Sequence, residues 1–387
     1  MTLPLSGLIV VSFEQAVAAP FATRQLADLG ARVIKVERAE GDFARNYDRS
    51  VAGHSSYFVW LNRGKESVAL DLKSEAGLKA AHALVSRADV VVQNLAPGAL
   101  GRMGLGAEET RAERPQLIHA SLSGYGTGGS YEHRKAYDLL LQCEAGLLSV
   151  TGDAEAAKVG ISVADICAGM YLYSGILTAL LRRGQSGAGA TLEVSMLEAL
   201  GEWMSQPLNY TVGSGTQPAR SGPRHATIAP YGPFPTSDGT VFLAVQSNRE
   251  WALLAEGLLA DQALVGDTRF ADNPERVAHR AELDETIATV TRRLASDELI
   301  ARLDQLGIAN AQMRDMFEFA DHPQLAARDR WRTIGLPGGS STRALVPPVS
   351  MVGVEWAMGD VPALGQHTAR VLAELGLAAE DDDSVNT

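Results

Sequence analysis

Leu8-Ile-Val-Val-Ser-Phe13, then Pro20 to Leu29, then Ala31-Arg-Val-Ile-Lys-Val-Glu37 reads as strand, helix and strand, and this stretch sets the fold class. Short β-branched runs flank a segment of helical period. Working outward, the alternation continues with strands at Ser67 to Leu72, Asp89 to Gln93 and Leu117 to Leu122. Helices are predicted at Ser74 to Ser86, Leu139 to Leu148 and Ile166 to Arg183. Strands that alternate with helices predict an α/β chain built on an open, doubly wound parallel sheet.

Such a start invites a nicotinamide-enzyme reading, because Glu37 closes the second strand where dinucleotide folds keep the acid that holds a ribose. The first turn argues against it. No glycine lies between Phe13 and Leu29, so a pyrophosphate has no close approach to the backbone there.

At 387 residues the chain has room for two domains. A formal charge of −12 argues against general nucleic-acid binding, which needs a basic face. Two cysteines, Cys143 and Cys167, make no disulfide framework, and no CxxC spacing points to a metal. No signal core follows Met1, and no apolar run is read as approaching membrane-spanning length. A cytoplasmic protein with no membrane partner is therefore expected. Glu380-Asp-Asp-Asp-Ser-Val-Asn-Thr387 reads as a frayed acidic tail.

Pro207, Gly213, Gly215, Pro218, Gly222 and Pro223 crowd one stretch, which is read as a linker at 203–228. It separates a large domain at 1–202 from a smaller α+β domain at 229–322. That domain opens on Tyr231-Gly-Pro-Phe-Pro-Thr-Ser-Asp-Gly239 and a strand at Thr240 to Gln246. A second linker at 323–335 and a return to the large domain at 336–387 complete the reading.

Chemistry concentrates at Val159-Gly-Ile-Ser-Val-Ala-Asp165-Ile-Cys-Ala-Gly169, where Asp165 is read between a strand-like run and a long apolar helix. A carboxylate just ahead of a helix is held ionised and aimed outward by the unpaired N–H groups and the positive dipole end. That is a place for a nucleophile, and equally for a plain N-cap. His54, in a Gly-His-Ser loop, and His225 are further candidates, with a surface histidine the commoner meaning of each.

The motifs that carry a resemblance run nearly end to end. They are Leu26-Ala-Asp-Leu-Gly-Ala-Arg-Val-Ile-Lys-Val-Glu-Arg38 with Gly41-Asp42, Leu70-Asp-Leu-Lys73, and Gln93-Asn-Leu-Ala-Pro-Gly-Ala-Leu100 with Arg102-Met103-Gly104. Ser121-Leu-Ser-Gly-Tyr-Gly126, Tyr137-Asp138, Gly187-Ala-Gly189, Val194-Ser-Met-Leu197, Gly307-Ile308, Asp321-His-Pro-Gln324 and Leu364-Gly-Gln-His-Thr368 follow. On these the chain resembles the family III CoA-transferases, whose divergent branch is the α-methylacyl-CoA racemases.

The resemblance implies a Rossmann-like large domain, a small domain, and a homodimer of two subunits threaded as interlocked rings. It implies acyl-CoA and a small carboxylic acid as substrates, with no permanently bound cofactor and no metal. It places the CoA phosphates near Arg38 and Lys73 and the adenine near Arg102 and Met103. Gln15, Ala18, Asn94 and Ala99 would line the pantetheine path. Many relatives carry an arginine where this chain has Ala96, so one phosphate contact is missing or comes from elsewhere.

In that family the residue matching Asp165 attacks the acyl carbon of a thioester, passing through an anhydride and an aspartyl-CoA thioester. Each tetrahedral step needs oxyanion donors, for which Ser123 to Gly126 and Gly160 are candidates. The racemase branch instead needs a histidine where this chain has Tyr137, and a free phenol is a poor base near neutrality. Asp138 is assigned a supporting role with Tyr137. A protein that binds CoA without turnover is the non-enzymatic alternative. The residues Glu14 to Arg24 and Gln246-Ser-Asn-Arg-Glu-Trp251 resemble the branch acting on C4 and C5 dicarboxylic acids. Arg249, Arg224 and Arg45 are the candidates for the far carboxylate, since a guanidinium binds one bidentately.

Overall fold

The computed structural model describes residues 3–377, so the acidic tail lies outside the described residues. In chain order the elements are β1 (Ile9–Phe13), α1 (Ala18–Asp28), β2 (Arg32–Glu37), α2 (Ser56–Asn62), β3 (Lys65–Ala69), α3 (Glu75–Val85) and β4 (Val90–Gln93). Next come α4 (Ala107–Glu113), β5 (Ile118–Ser123), α5 (Asp138–Glu144), α6 (Leu147–Val150), α7 (Val163–Ser186), β6 (Ala190–Ser195), α8 (Met196–Trp203) and α9 (Ser205–Ser214). Later strands are β7 (Tyr231–Pro235), β8 (Thr240–Ala244), β9 (Ala309–Gln312), β10 (Trp331–Gly335) and β11 (Ser341–Leu345). The chain forms two compact units.

The first unit comprises the described residues within Met1–Ala145, Val159–Met204 and Leu325–Thr387. Six of its strands form one sheet in the order β3-β2-β1-β4-β5-β6, all parallel, and β10 pairs antiparallel with β11. Val10, Val11, Val33, Val90, Val91 and Val92 are buried, as strands covered on both faces require. β2 and β3 are laid down on one side of β1 and β4, β5 and β6 on the other, so the order reverses between β1 and β4. A crevice opens at such a reversal, and it is where open α/β sheets bind ligands.

Several sequence expectations shift. A sixth strand, β6, joins the five expected ones; its polar Thr191 and Glu193, at the sheet edge, interrupt the apolar run that would mark it in the sequence. β3 begins at Lys65 rather than Ser67 and ends at Ala69. Helix α1 begins at Ala18, with Pro20 in the first turn, where a missing N–H costs nothing. The single helix expected from Leu139 to Leu148 is broken by Gly146 at φ 77°, a left-handed turn between α5 and α6. The segment 203–228 is not all linker, since α9 occupies Ser205–Ser214 with Pro207 in its first turn.

One further correction concerns apolar length. Helix α7 runs 24 residues and is long and apolar enough to cross a membrane by length and composition. Here it packs on α1 and lies against β5, β6 and α8, burying Ala164, Cys167, Ala168, Leu172, Ile176 and Ala179. A core helix meets the same criterion as a membrane span.

The second unit comprises Gly146–Lys158 and Ser205–Gln324. It holds the antiparallel sheet β7-β8-β9. Its core gathers Phe234, Val241, Leu243, Trp251, Leu283 and Leu299.

Candidate active site

Asp165 does not precede its helix. It stands in the first turn of α7, which begins at Val163, and Val159 to Ser162 is not a strand. The cause lies in α5. Ser162 makes no side-chain cap; instead Asp138 Oδ1 accepts the Ala164 N–H at 2.8 Å, and this external cap starts the helix early. Asp138 Oδ2 accepts from Gln142 Nε2 at 2.7 Å, while Gln142 Oε1 accepts the Val159 N–H at 3.1 Å. Buried Gln142 and half-buried Asp138 thereby pin both ends of the turn that carries Asp165.

The expectation that the helix end keeps Asp165 ionised is reversed. Burial, and after it the charge of Asp138, raises its carboxyl from 3.8 to about 7. A first-turn dipole contributes about 0.3–1 kcal/mol and is outweighed by desolvation here. Tyr47, which sequence reasoning missed, is pushed up to about 12 by burial and then by the charges of Asp42 and Asp165. Tyr137 also acts on it, so these groups share one neighbourhood, with Tyr137 itself well exposed.

Gly169 shows where α7 sits. A Cβ there would stand 2.5 Å from the Ala18 carbonyl oxygen and 3.0 Å from the Phe21 ring. Asp165 lies one helical turn earlier on the same face, toward the residues that precede Ala18. Gly169→Ala should cost about 1–3 kcal/mol through overpacking, read as a fall of several degrees in Tm. An unchanged Tm would show that α7 slides freely on α1.

The crevice at the strand ends is a cavity of about 580 Å³ that brings together Gln15, Arg38, Lys73 and Met103. Arg38 and Lys73 are exposed and have no ion-pair partner among the described residues. Two free cations at a crevice mouth suit a phosphorylated ligand. Arg102 folds back on the turn that contains Ala96, its guanidinium 3.3 Å from the Pro97 carbonyl oxygen, and Ala99 closes that turn on Ala96 at 3.0 Å. Ala18 is buried under α7, and the Asn94 carboxamide is committed to the backbone of Gln15.

Beneath the crevice lies a buried ion network that the sequence did not reveal. Glu14 takes Lys65 at 2.7 Å and Thr23 Oγ1 at 2.7 Å, and Asp42 takes Lys35 at 2.8 Å. Glu37 holds Arg45 by two bonds of 2.8 and 2.7 Å, and the Ser67 hydroxyl at 2.6 Å. Its carboxyl drops to about 2 through the Arg45 bonds and the Lys35 charge, against its burial. That acid therefore holds an arginine and not a ribose.

Of the three arginines considered for a far carboxylate, Arg45 is thus engaged by Glu37 and lies 3.7 Å over the Phe58 ring. Arg224 pairs with Asp284 at 2.9 Å. Arg249 is exposed, with no ion-pair partner among the described residues. Its neighbours have structural duties: Ser247 and Glu250 form a capping box, Asn248 holds Arg276, and Trp251 is core. His54 bonds the Pro337 carbonyl, and His225 stacks on Tyr231 at 5.2 Å. Of the oxyanion candidates, the Gly126 N–H is held by Ser123 Oγ at 3.0 Å. Among the described residues no group of His, Cys, Asp and Glu is arranged to hold a metal.

The chain matches the profile of CoA-transferase family III over residues 5–368. It is 34% identical to the succinate–glutarate CoA-transferase of Agrobacterium fabrum, covering 96% of each chain. It is also 34% identical to the acetyl-CoA:oxalate CoA-transferase of Acetobacter aceti, covering 84% of this chain and 85% of that one. Among solved structures, a CAIB/BAIF family protein from Brucella suis superposes with a TM-score of 0.85 at 33% identity, covering 97% of this chain and 100% of that one. A six-strand parallel sheet, a crevice at its reversal point and a profile match across almost the whole chain agree: the chain belongs to CoA-transferase family III.

Proposed function

We propose that this enzyme moves CoA from a dicarboxylyl thioester, succinyl-CoA above all, to a free dicarboxylic acid, with Asp165 as nucleophile. The supporting observation is the seating of Asp165: pinned by Asp138 and Gln142 in the first turn of α7, one helical turn from the contact of Gly169 with α1, and acting on Tyr47 together with the crevice residue Asp42. Of the two relatives named above, one is named for succinate and glutarate and the other for acetyl-CoA and oxalate, so a dicarboxylate stands in both names.

A carboxylate oxygen of Asp165 attacks the acyl carbon, the C–S bond breaks, and CoA leaves as thiolate from a mixed anhydride. The thiolate then attacks the aspartyl carbonyl, and the donor acid leaves as carboxylate. An acceptor carboxylate attacks the resulting aspartyl thioester, giving a second anhydride and free thiolate. Attack of that thiolate on the acceptor's acyl carbon releases the new thioester and restores Asp165. Each step exchanges one anionic leaving group for another, so thioester energy is kept. Arg38 and Lys73 hold the CoA phosphates in this reading, and Arg249, which has no ion-pair partner among the described residues, takes the distal carboxylate.

Incubation of succinyl-CoA with a panel of free acids, read by mass spectrometry, should show CoA transferred intact to a dicarboxylate. Hydrolysis without transfer would sink the reading. The raised carboxyl of Asp165 also suits proton transfer, the racemase chemistry. A 2-methylacyl-CoA incubated in deuterated water should nevertheless gain no label at its α-carbon, because Tyr137 stands where that chemistry needs a histidine. Rapid uptake dependent on Asp165 would favour the racemase.

The reading includes a homodimer, supported by the apolar Met170, Tyr171 and Leu181 that α7 leaves exposed. Sedimentation at monomer mass would remove it.

A further inference from the structure

The connection from β1 to α1 bends through Ala16 at φ 65°, a left-handed conformation that a residue with a Cβ avoids. Such backbone persists only where its surroundings over-determine it. Three side chains do so, one on β2, one just past β4 and one in the loop after β2, each gripping one residue of the bend. Lys35, fully buried on β2, donates to the Glu14 carbonyl oxygen at 3.3 Å. Asn94, just past β4, donates Nδ2–H to the Gln15 carbonyl oxygen and accepts the Gln15 N–H on Oδ1, both at 2.9 Å. Asp42 Oδ1 accepts the Ala16 N–H at 3.1 Å, while its other oxygen takes Lys35 at 2.8 Å.

The location gives this clamp its meaning. Glu14, Gln15 and Asp42 line the crevice, and the bend runs straight into Ala18, over which Gly169 and then Asp165 of α7 are laid. The clamped bend is therefore a wall of the crevice that leads directly into the segment under Gly169, one helical turn from Asp165, and Asp42 of the clamp and Asp165 both act on Tyr47. Each bond joins chain segments 21 to 79 residues apart, and Asp42 is itself tied at its N–H to Glu37 Oε2 at 3.0 Å. A short local turn would serve to connect strand to helix; a grip on three consecutive residues, the last of them strained, serves to hold the bend at one point.

We propose that Asn94 and Asp42 are positioning residues for the transfer reaction: they hold residues 14–16 as a rigid wall that sets the thioester in register with Asp165. The proposal rests on the reading of Asp165 as nucleophile. Misplacement of a reacting centre by about 1 Å costs on the order of 100-fold in rate, whereas loose ground-state binding changes little. The clamp therefore acts on kcat more than on KM.

The test separates positioning from stability. Asn94→Ala should lower kcat by about 10- to 100-fold, with KM for succinyl-CoA changing less than about threefold, and should lower Tm. Adding Ala16→Gly, which removes the left-handed penalty, should restore Tm but not kcat. Asn94→Asp keeps the acceptor for the Gln15 N–H but sets a carboxylate against the Gln15 carbonyl, so it serves with the same expected outcome should Asn94→Ala not fold. Recovery of kcat together with Tm would make the clamp a stability device and overturn the proposal. A loss confined to KM would make Asn94 a ligand contact and overturn it as well. Wild-type enzyme treated with hydroxylamine during turnover reports on the nucleophile separately: no hydroxamate at Asp165 would end that reading, while the comparison of kcat with Tm would still decide the clamp.

Discussion

Asp165→Ala and Asp165→Asn lose CoA exchange by about 1,000-fold or more, equivalent to about 4 kcal/mol of barrier, while CoA binding and folding persist. The expectation follows from an anhydride route in which no other group takes the acyl carbon. Hydroxylamine added with acyl-CoA should inactivate the wild type and leave a hydroxamate at residue 165 alone. Retention of more than about a tenth of the rate by either variant would remove Asp165 from the nucleophile's place.

The raised carboxyl adds a pH signature with a definite sign. Asp165 must be ionised to attack, and in the free enzyme it ionises near pH 7, so kcat/KM should fall tenfold per pH unit below about 7. Stability runs the other way. The folded carboxyl titrates at about 7 and the unfolded one at 3.8, so between those values the fold holds a proton that the unfolded chain releases. The ionised group is thus a destabilisation that accrues as pH rises from about 4 and is complete above about 7. Asp165→Asn should accordingly raise Tm, more at pH 8 than at pH 5. A gain that shrinks toward alkaline pH would contradict the shift.

Succinyl-CoA should be used at least about 100-fold better than butyryl-CoA, which has the same carbon count and no second charge. A charge-assisted bidentate pair contributes about 1.5–3 kcal/mol, and 100-fold is about 2.7 kcal/mol. Arg249→Ala should narrow the ratio by slowing the dicarboxylate reaction. Arg224→Ala frees Asp284 and should narrow it less. Arg45→Ala leaves Glu37 buried without its arginine, so its effect should be on Tm first. Equal use of the two thioesters by the unmodified enzyme would rule out the dicarboxylate assignment and leave the transferase chemistry standing.

What the sequence determined by itself was the alternation of elements and the family. Five of the six parallel strands are legible, most plainly β1 and β4, whose Ile-Val-Val and Val-Val-Val runs suit strands buried on both faces, while β2, β3 and β5 carry Lys35, Lys65 and His119 within them. The lack of glycine after β1 argues against a dinucleotide from sequence alone, and Ala16 at positive φ shows that the bend there follows another plan. Tertiary structure alone decided the rest. It capped α7 from α5, 26 residues away, and so moved Asp165 inside its helix. It drew Arg45 onto Glu37 and turned Asn94 onto the backbone of Gln15, 79 residues earlier. It also lifted the carboxyl of Asp165, since burial and the charge of Asp138 depend on what folds against the site. Periodicity records what each residue needs from its near neighbours in the chain; hydrogen-bond partners, burial and charge are set by segments that meet only once the chain has folded.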